Sequence, residues 1–188
     1  MSFSEIVVIF IILKFAVDKT SDMDIIKIST DWARAEIFSA KIVWIFSFII
    51  ILSAIGFYFL GKTTIAKAFV IPLAITGFLL TTIGIGLYTA NKPRIIQFEK
   101  EYQTNSSAFI QKEIERTSKS NSDFALVFKI LPILVIIGAA LILISKSPNW
   151  QASGITLALL ASFLMAVDAN TAARNETYRQ QLLTHQSS

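Results

Sequence analysis

The chain has 188 residues, 54% of them apolar and 16% charged, with a formal net charge of +4 and a mean hydropathy of +0.62. A soluble domain of this length would spread its apolar residues periodically, whereas here they stand in blocks parted by charged segments, which is the membrane pattern. There is no cysteine, which excludes a disulfide framework and a thiolate metal site. The Lys and Arg excess lies outside the blocks and is explained by membrane orientation rather than by nucleic-acid binding.

Residues 6–13 (IVVIFIIL) are apolar but are cut off by Lys14 and Asp18. They are too few to cross a bilayer and resemble the core of a signal peptide. Glu5 precedes them where basic residues are expected, however, and Val17-Asp18-Lys19 is a poor cleavage site. Residues 1–22 are therefore read as an interfacial segment or as an extension upstream of the true start, with Met23 an alternative initiator.

From 23 to 41 the pattern predicts an amphipathic helix. Ile25, Ile28, Trp32 and Ala35 recur at three- and four-residue steps, while Lys27, Asp31, Arg34 and Glu36 occupy other faces. The pattern reads first as a helix lying on the membrane with Trp32 at headgroup level, and second as a docking surface.

Nineteen uncharged residues follow (42–60), then a seven-residue break, then twenty-three more (68–90). A helix crosses the roughly 30 Å hydrocarbon core in about 20 residues, so the two runs predict a transmembrane hairpin. The connection 91–123 carries two stripes, Ile95/Phe98/Tyr102 and Phe109/Ile110/Ile114, around the capping sequence Asn105-Ser106-Ser107. It predicts a helical hairpin outside the membrane over about 94–120, with Lys112, Glu113, Glu115 and Arg116 as its solvated face.

A third span is predicted over 124–145, where Lys129 can snorkel and Pro132 is tolerable because neighbours satisfy the freed carbonyl. A fourth, about 150–167, follows a tight turn bearing Trp150. It continues past Asp168 into a polar helix with Arg174, Glu176, Tyr178 and Arg179; the tail 184–188 holds the one histidine, His185. The fold expected is all-α, an integral-membrane four-helix bundle with cytoplasmic helical extensions, and residues 23–183 make one domain.

Eleven Lys and Arg lie in the segment 23–41 before span one, in the central connection and in the tail. Against them the two hairpin turns hold only Lys62, Lys67 and Lys146. The positive-inside rule then puts both termini in the cytoplasm of a cell whose inner membrane carries the chain. Small residues mark helix contacts in lipid, where no hydrophobic force drives association. The candidates are Ser47, Ser53 and Gly56 on span one, Gly77, Thr81, Gly84 and Gly86 on span two, Gly138 on span three, and a four-residue ladder of Gly154, Ala158, Ser162, Ala166 and Asn170 on span four. These faces could meet within one chain, the simpler solution, or between chains.

Residues 56–63 match GxxxxGK[ST], the phosphate-binding loop pattern, through Gly56, Gly61, Lys62 and Thr63. That motif needs a strand delivering a small loop to a helix start. Here a membrane helix delivers Phe57, Tyr58, Phe59 and Leu60, so the match is judged false and no cofactor is implied. Asn105 and Asn175 begin Asn-x-Ser/Thr sequences on the side away from glycosylation.

The apolar blocks hold no paired acids, metal-ligand cluster or nucleophile–histidine pair, which argues against a pump. The lack of an acid–base constellation in the polar segments ranks a lipid enzyme last. The core from Asp31-Trp32-Ala33-Arg34-Ala35-Glu36-Ile37-Phe38 through Asn91-Lys92-Pro93-Arg94 resembles a group of small four-span bacterial membrane proteins. In layout alone the chain is similar to pore-forming-toxin immunity proteins. That resemblance implies a non-enzymatic protein that binds a membrane partner, such as a toxin it neutralises. The alternative is an oligomeric channel or solute carrier with Thr76, Thr81, Thr82 and Thr156 on a polar path. The partners expected are the lipid bilayer and a membrane protein, with no nucleic acid.

Overall fold

The structure, a computed structural model, describes the backbone of residues 3–187 and the side chains of residues 24–186. Readings of residues 1–22 beyond their backbone lie outside the described residues. Six helices occur in order: α1 (Phe3–Leu60), α2 (Thr64–Ala68), α3 (Val70–Asn91), α4 (Arg94–Thr104), α5 (Ser106–Ile144) and α6 (Pro148–Ser187). The described residues contain no strand. Four stretches are long and apolar enough to cross a membrane: Asp24–Leu60, Thr64–Thr104, Ser106–Ile144 and Pro148–Gln186.

Each break has a local cause. Gly61 ends α1 where the Phe57 carbonyl lies against the position a Cβ would take, so only glycine fits. Thr63 caps α2 through its side chain, which accepts from the Ala66 N–H. Pro93 has no N–H to continue α3, and its carbonyl starts α4 by accepting from Gln97. Asn105, extended at φ −159°, caps α5 by accepting from the Ala108 N–H. The sequence predicts separate helices on either side of 120–123; the structure runs α5 through those residues without interruption. Pro132 sits inside it and is also accommodated.

In the apolar half, two hairpins form, α1 with α3 and α5 with α6, and α6 joins them. The joint is made by large side chains rather than small ones. Phe46 of α1 stacks on Phe163 of α6 with centroids 3.8 Å apart, and Leu160, Leu164 and Val167 pack on the Val43/Ile50/Leu73/Leu80 cluster. Among the described residues the α5 backbone comes within 8 Å of α4 and α6 but of neither α1 nor α3. One flank of α5 is thus held by α6 alone.

The charged half has a core of its own. The middle of α1, all of α4, the start of α5 and the end of α6 close around Ile25, Trp32, Phe98, Tyr102, Phe109, Ile110, Tyr178 and Leu182. The stripe of the amphipathic stretch 23–41 is therefore covered by protein: it is the inner face of a small four-helix assembly, with Trp32 only 8% exposed.

Candidate functional site

The small-residue faces divide into contacts and non-contacts. The Ser47 hydroxyl donates to the Gly77 carbonyl at 2.7 Å and lies 2.7 Å from the Thr81 hydroxyl, while the Trp44 ring fills the space before Gly84. Gly138 and Gly154 cross at backbone distance: a Cβ on Gly138 would sit 2.7 Å from the Gly154 carbonyl oxygen and 3.1 Å from the Ala158 Cβ. Ser162, Ala166 and Asn170 of the same ladder are exposed, because α6 turns its Leu160/Phe163/Leu164 face to α1. A Cβ added at Gly56 or Gly86 would meet no other part of the chain within 4 Å.

The threonines considered for a polar path differ in their surroundings. Thr76 is buried and Thr81 bonded on the α1 side of α3, Thr156 is buried on α6, and Thr82 is exposed with its hydroxyl on the Phe78 carbonyl. Residues 56–60 are helical and Thr63 is engaged as a cap, so the phosphate-loop match has no strand–loop–helix around it.

The chemistry concentrates at the charged half, around a stack of Trp32 on Tyr178 (centroids 5.5 Å, planes 18° apart). Sequence pattern placed Glu36, Glu113 and Arg116 on solvated faces, and the structure overturns this. Glu113 is 2% and Glu36 3% exposed. Arg116 grips Glu113 through Nε at 3.0 Å and Nη2 at 2.7 Å, and lays its guanidinium 4.1 Å above the Trp32 ring. Glu36 accepts from Arg174 at 3.0 Å, and the same guanidinium nitrogen donates to Ser39 and Thr171. Lys112 and Glu115 do face solvent.

The Tyr178 hydroxyl lies 2.8 Å from Ser29 Oγ and 3.1 Å from Glu113 Oε2. Ser29 donates its own proton to the Ile25 carbonyl, so both neighbours compete for the phenol's single proton. Burial first, and then the charge of Glu113, hold that phenol far above its ordinary pKa. A second chain of bonds runs from Asn175 to the Thr117 carbonyl and Asn121 Oδ1, and from Asn121 to Glu176. Asn175, 1% exposed, is thus a strut between α5 and α6 rather than a glycosylation acceptor.

Beside this core runs a trough between α1 and α6. Its inner part, a cleft of about 440 Å³, is floored by Ile28, Trp32, Ala35, Ala173 and Tyr178 and rimmed by Asp31, Arg174, Thr177 and Gln181. Through Ile28, Thr177 and Gln181 it continues into a second cleft of about 490 Å³ reaching Asp24, Thr184 and His185. Among the described residues no group of three His, Asp or Glu gathers as a metal would require. No protein-family model, curated protein or solved structure matches the chain.

Burial pushes the Glu36 carboxyl above its ordinary value, against the opposing pull of Arg174. A carboxyl raised in the folded state contributes stability that is full below its unfolded pKa, near 4.5, and is lost as pH rises through the folded value. Glu36→Gln has no such dependence. The melting-temperature difference, wild type minus Glu36→Gln, is expected to shrink as pH is raised from 4.5 toward neutrality, measured by thermal scans in detergent. A flat or rising difference would contradict the burial argument.

Proposed function

We propose that the protein is a non-enzymatic multi-pass membrane protein that acts by binding a membrane-inserted protein partner, received in the trough between α1 and α6. The observation that carries this reading is the trough itself: an apolar floor inside a mixed-charge rim, with both walls tied together behind it by the Trp32–Tyr178 stack and the Glu36–Arg174 pair. Along α1 it spans residues 24–35, about 16 Å at 1.5 Å per residue, enough for three turns of an amphipathic helix. Its inner end, at Ala35 and Ala173, lies about 10 Å from the apolar runs that begin at 42 and end at 167. A helix emerging from the bilayer would enter it directly.

The Lys/Arg distribution supports the cytoplasmic side for the charged half and both termini; a bacterial inner membrane is proposed from the layout alone. A pore-forming toxin is the specific partner that the layout suggests, and a neighbouring reading frame for a membrane-inserting polypeptide would favour it.

The chain has no cysteine, so Thr177→Cys places a single cross-linking handle in the trough. The expected result is one membrane partner captured from native membranes through residue 177, competed away by Ile28→Arg in the same chain, and not captured through Lys100→Cys on α4. Equal capture from both positions, or none from either, would remove the reading. Reporters after Ser106 and Ser188 should appear on one side of the membrane and reporters at Thr63 and Ser147 on the other.

A further inference from the structure

A cleft of about 430 Å³ opens at the end of the bundle opposite the charged half, in the angle between α1 and α2. Its α1 wall is one stripe, Ser53, Gly56, Phe57 and Leu60, at three- and four-residue steps. Ala66 of α2 closes it, and Lys62 follows the outer end of the stripe. Gly56 makes the room, since a Cβ there would meet no other part of the chain within 4 Å. Phe57 is held beside it by stacking on Phe69 with centroids 5.4 Å apart, and the Ser53 hydroxyl donates to the Ile49 carbonyl. The groove is therefore apolar along its length. It runs about 10 Å along the helix axis, inside the uncharged run 42–60, and Lys62 stands two residues beyond that run. A lysine there places its ammonium among the headgroups. The residues Gly56, Gly61 and Lys62 of the phosphate-loop match thus do meet in one cleft, as the lining of a groove rather than as a nucleotide loop.

Charge at this end is of one sign. Lys62, Lys67 and Lys146 are exposed in the two turns, and none is in an ion pair among the described residues. The sequence holds no Asp or Glu between Glu36 and Glu99 or between Asp123 and Asp168, so the spans and their turns offer these lysines no carboxylate. A counter-anion for Lys62 has to come from outside the chain. We propose that this cleft seats one anionic phospholipid, with an acyl chain along the Ser53–Leu60 stripe and its phosphate on the Lys62 ammonium. A zwitterionic lipid brings its own cation into a region of three lysines and no acid. A second copy of this chain, in the same membrane orientation, brings the same three lysines to the same level. Neither complements the charge as an anionic lipid does.

The test is a thermal scan of the full chain in neutral detergent, alone, with phosphatidylglycerol and with phosphatidylcholine. Phosphatidylglycerol is expected to raise the wild-type melting temperature by about 4 °C over phosphatidylcholine when it is about tenfold above its dissociation constant. Lys62→Gln should abolish that rise, while Lys146→Gln, the same change of charge on the other turn, should keep it. Gly56→Leu should abolish it by filling the groove, while Gly86→Leu, equally open but toward the other end of α3, should keep it. None of these residues lines the trough between α1 and α6. Equal loss in the two lysine variants would reduce the effect to diffuse surface charge and overturn the site. A rise that survives Gly56→Leu would overturn the seated acyl chain. A lower melting temperature of Gly56→Leu in detergent alone would mean that the chain itself fills the groove, and would overturn it equally. A wild type that is dimeric in detergent and monomeric as Gly56→Leu would put a second copy in the groove in place of the lipid.

Discussion

Glu113→Gln is expected to lower stability by about 3 kcal/mol, because removing one partner of a buried ion pair leaves the other charge uncompensated. Glu113 is the only carboxylate within 4 Å of Arg116 among the described residues. With it gone, Arg94, Arg116 and Arg174 would share Glu36 alone. Glutamine keeps the shape and leaves an oxygen for the Tyr178 hydroxyl, so little of the loss comes from packing. At about 2–4 °C per kcal/mol for a chain of this size, the melting temperature should fall by roughly 6–12 °C. The double variant Glu113→Gln/Arg116→Gln should recover at least half of the loss, since the stranded cation is then gone. A single variant as stable as wild type would mean that Arg116 is solvated instead of folded over Trp32.

The four long helices were legible because span length and the absence of charge are one-dimensional signals. So was the turn at Asn105, since cap chemistry is local. What the sequence could not show is which charges are inside. Glu36 and Glu113 follow the spacing of ordinary solvated helix charges, and their burial depends on Arg174 and Arg116 arriving from other turns or other helices. One signal was available: Trp32 and Tyr178 each stand among charges on stretches predicted to be polar outside the membrane. Large aromatics at such positions ask for a covered face. The stripe of Ile25, Ile28 and Trp32 reads as apolar and fits lipid or a partner equally well, because periodicity gives a face and not the surface that covers it. The ladder on α6 divides in the same way. Small residues permit a close crossing, yet only Gly154 and Ala158 meet Gly138, while Phe163 and Leu160 decide where α6 meets α1.

That division sets the second large effect. Gly138→Leu should cost about 3 kcal/mol, the upper end for overpacking, and Gly138→Ala about 1 kcal/mol. At Gly138 the obstacle is the Gly154 carbonyl, backbone that cannot rotate away, and the reciprocal approach, 2.6 Å from a Gly154 Cβ to the Gly138 oxygen, is equally closed. Relief can come only by moving α5 from α6, and in the apolar half α5 has no other helix to lean on. Insertion of the more hydrophobic leucine into the membrane is favoured by only a few tenths of a kcal/mol, so the packing loss dominates. Ala158→Leu, facing the same crossing, should also destabilise. Ser162→Leu, whose ladder position predicts disruption on spacing alone, should instead be close to neutral, as should Gly86→Leu, because both face open space in this arrangement. Melting in detergent and proteolysis of the 145–147 turn would read the difference. If Ser162→Leu proves as damaging as Gly138→Leu, a second surface packs on that face and the exposed ladder is an interface between chains.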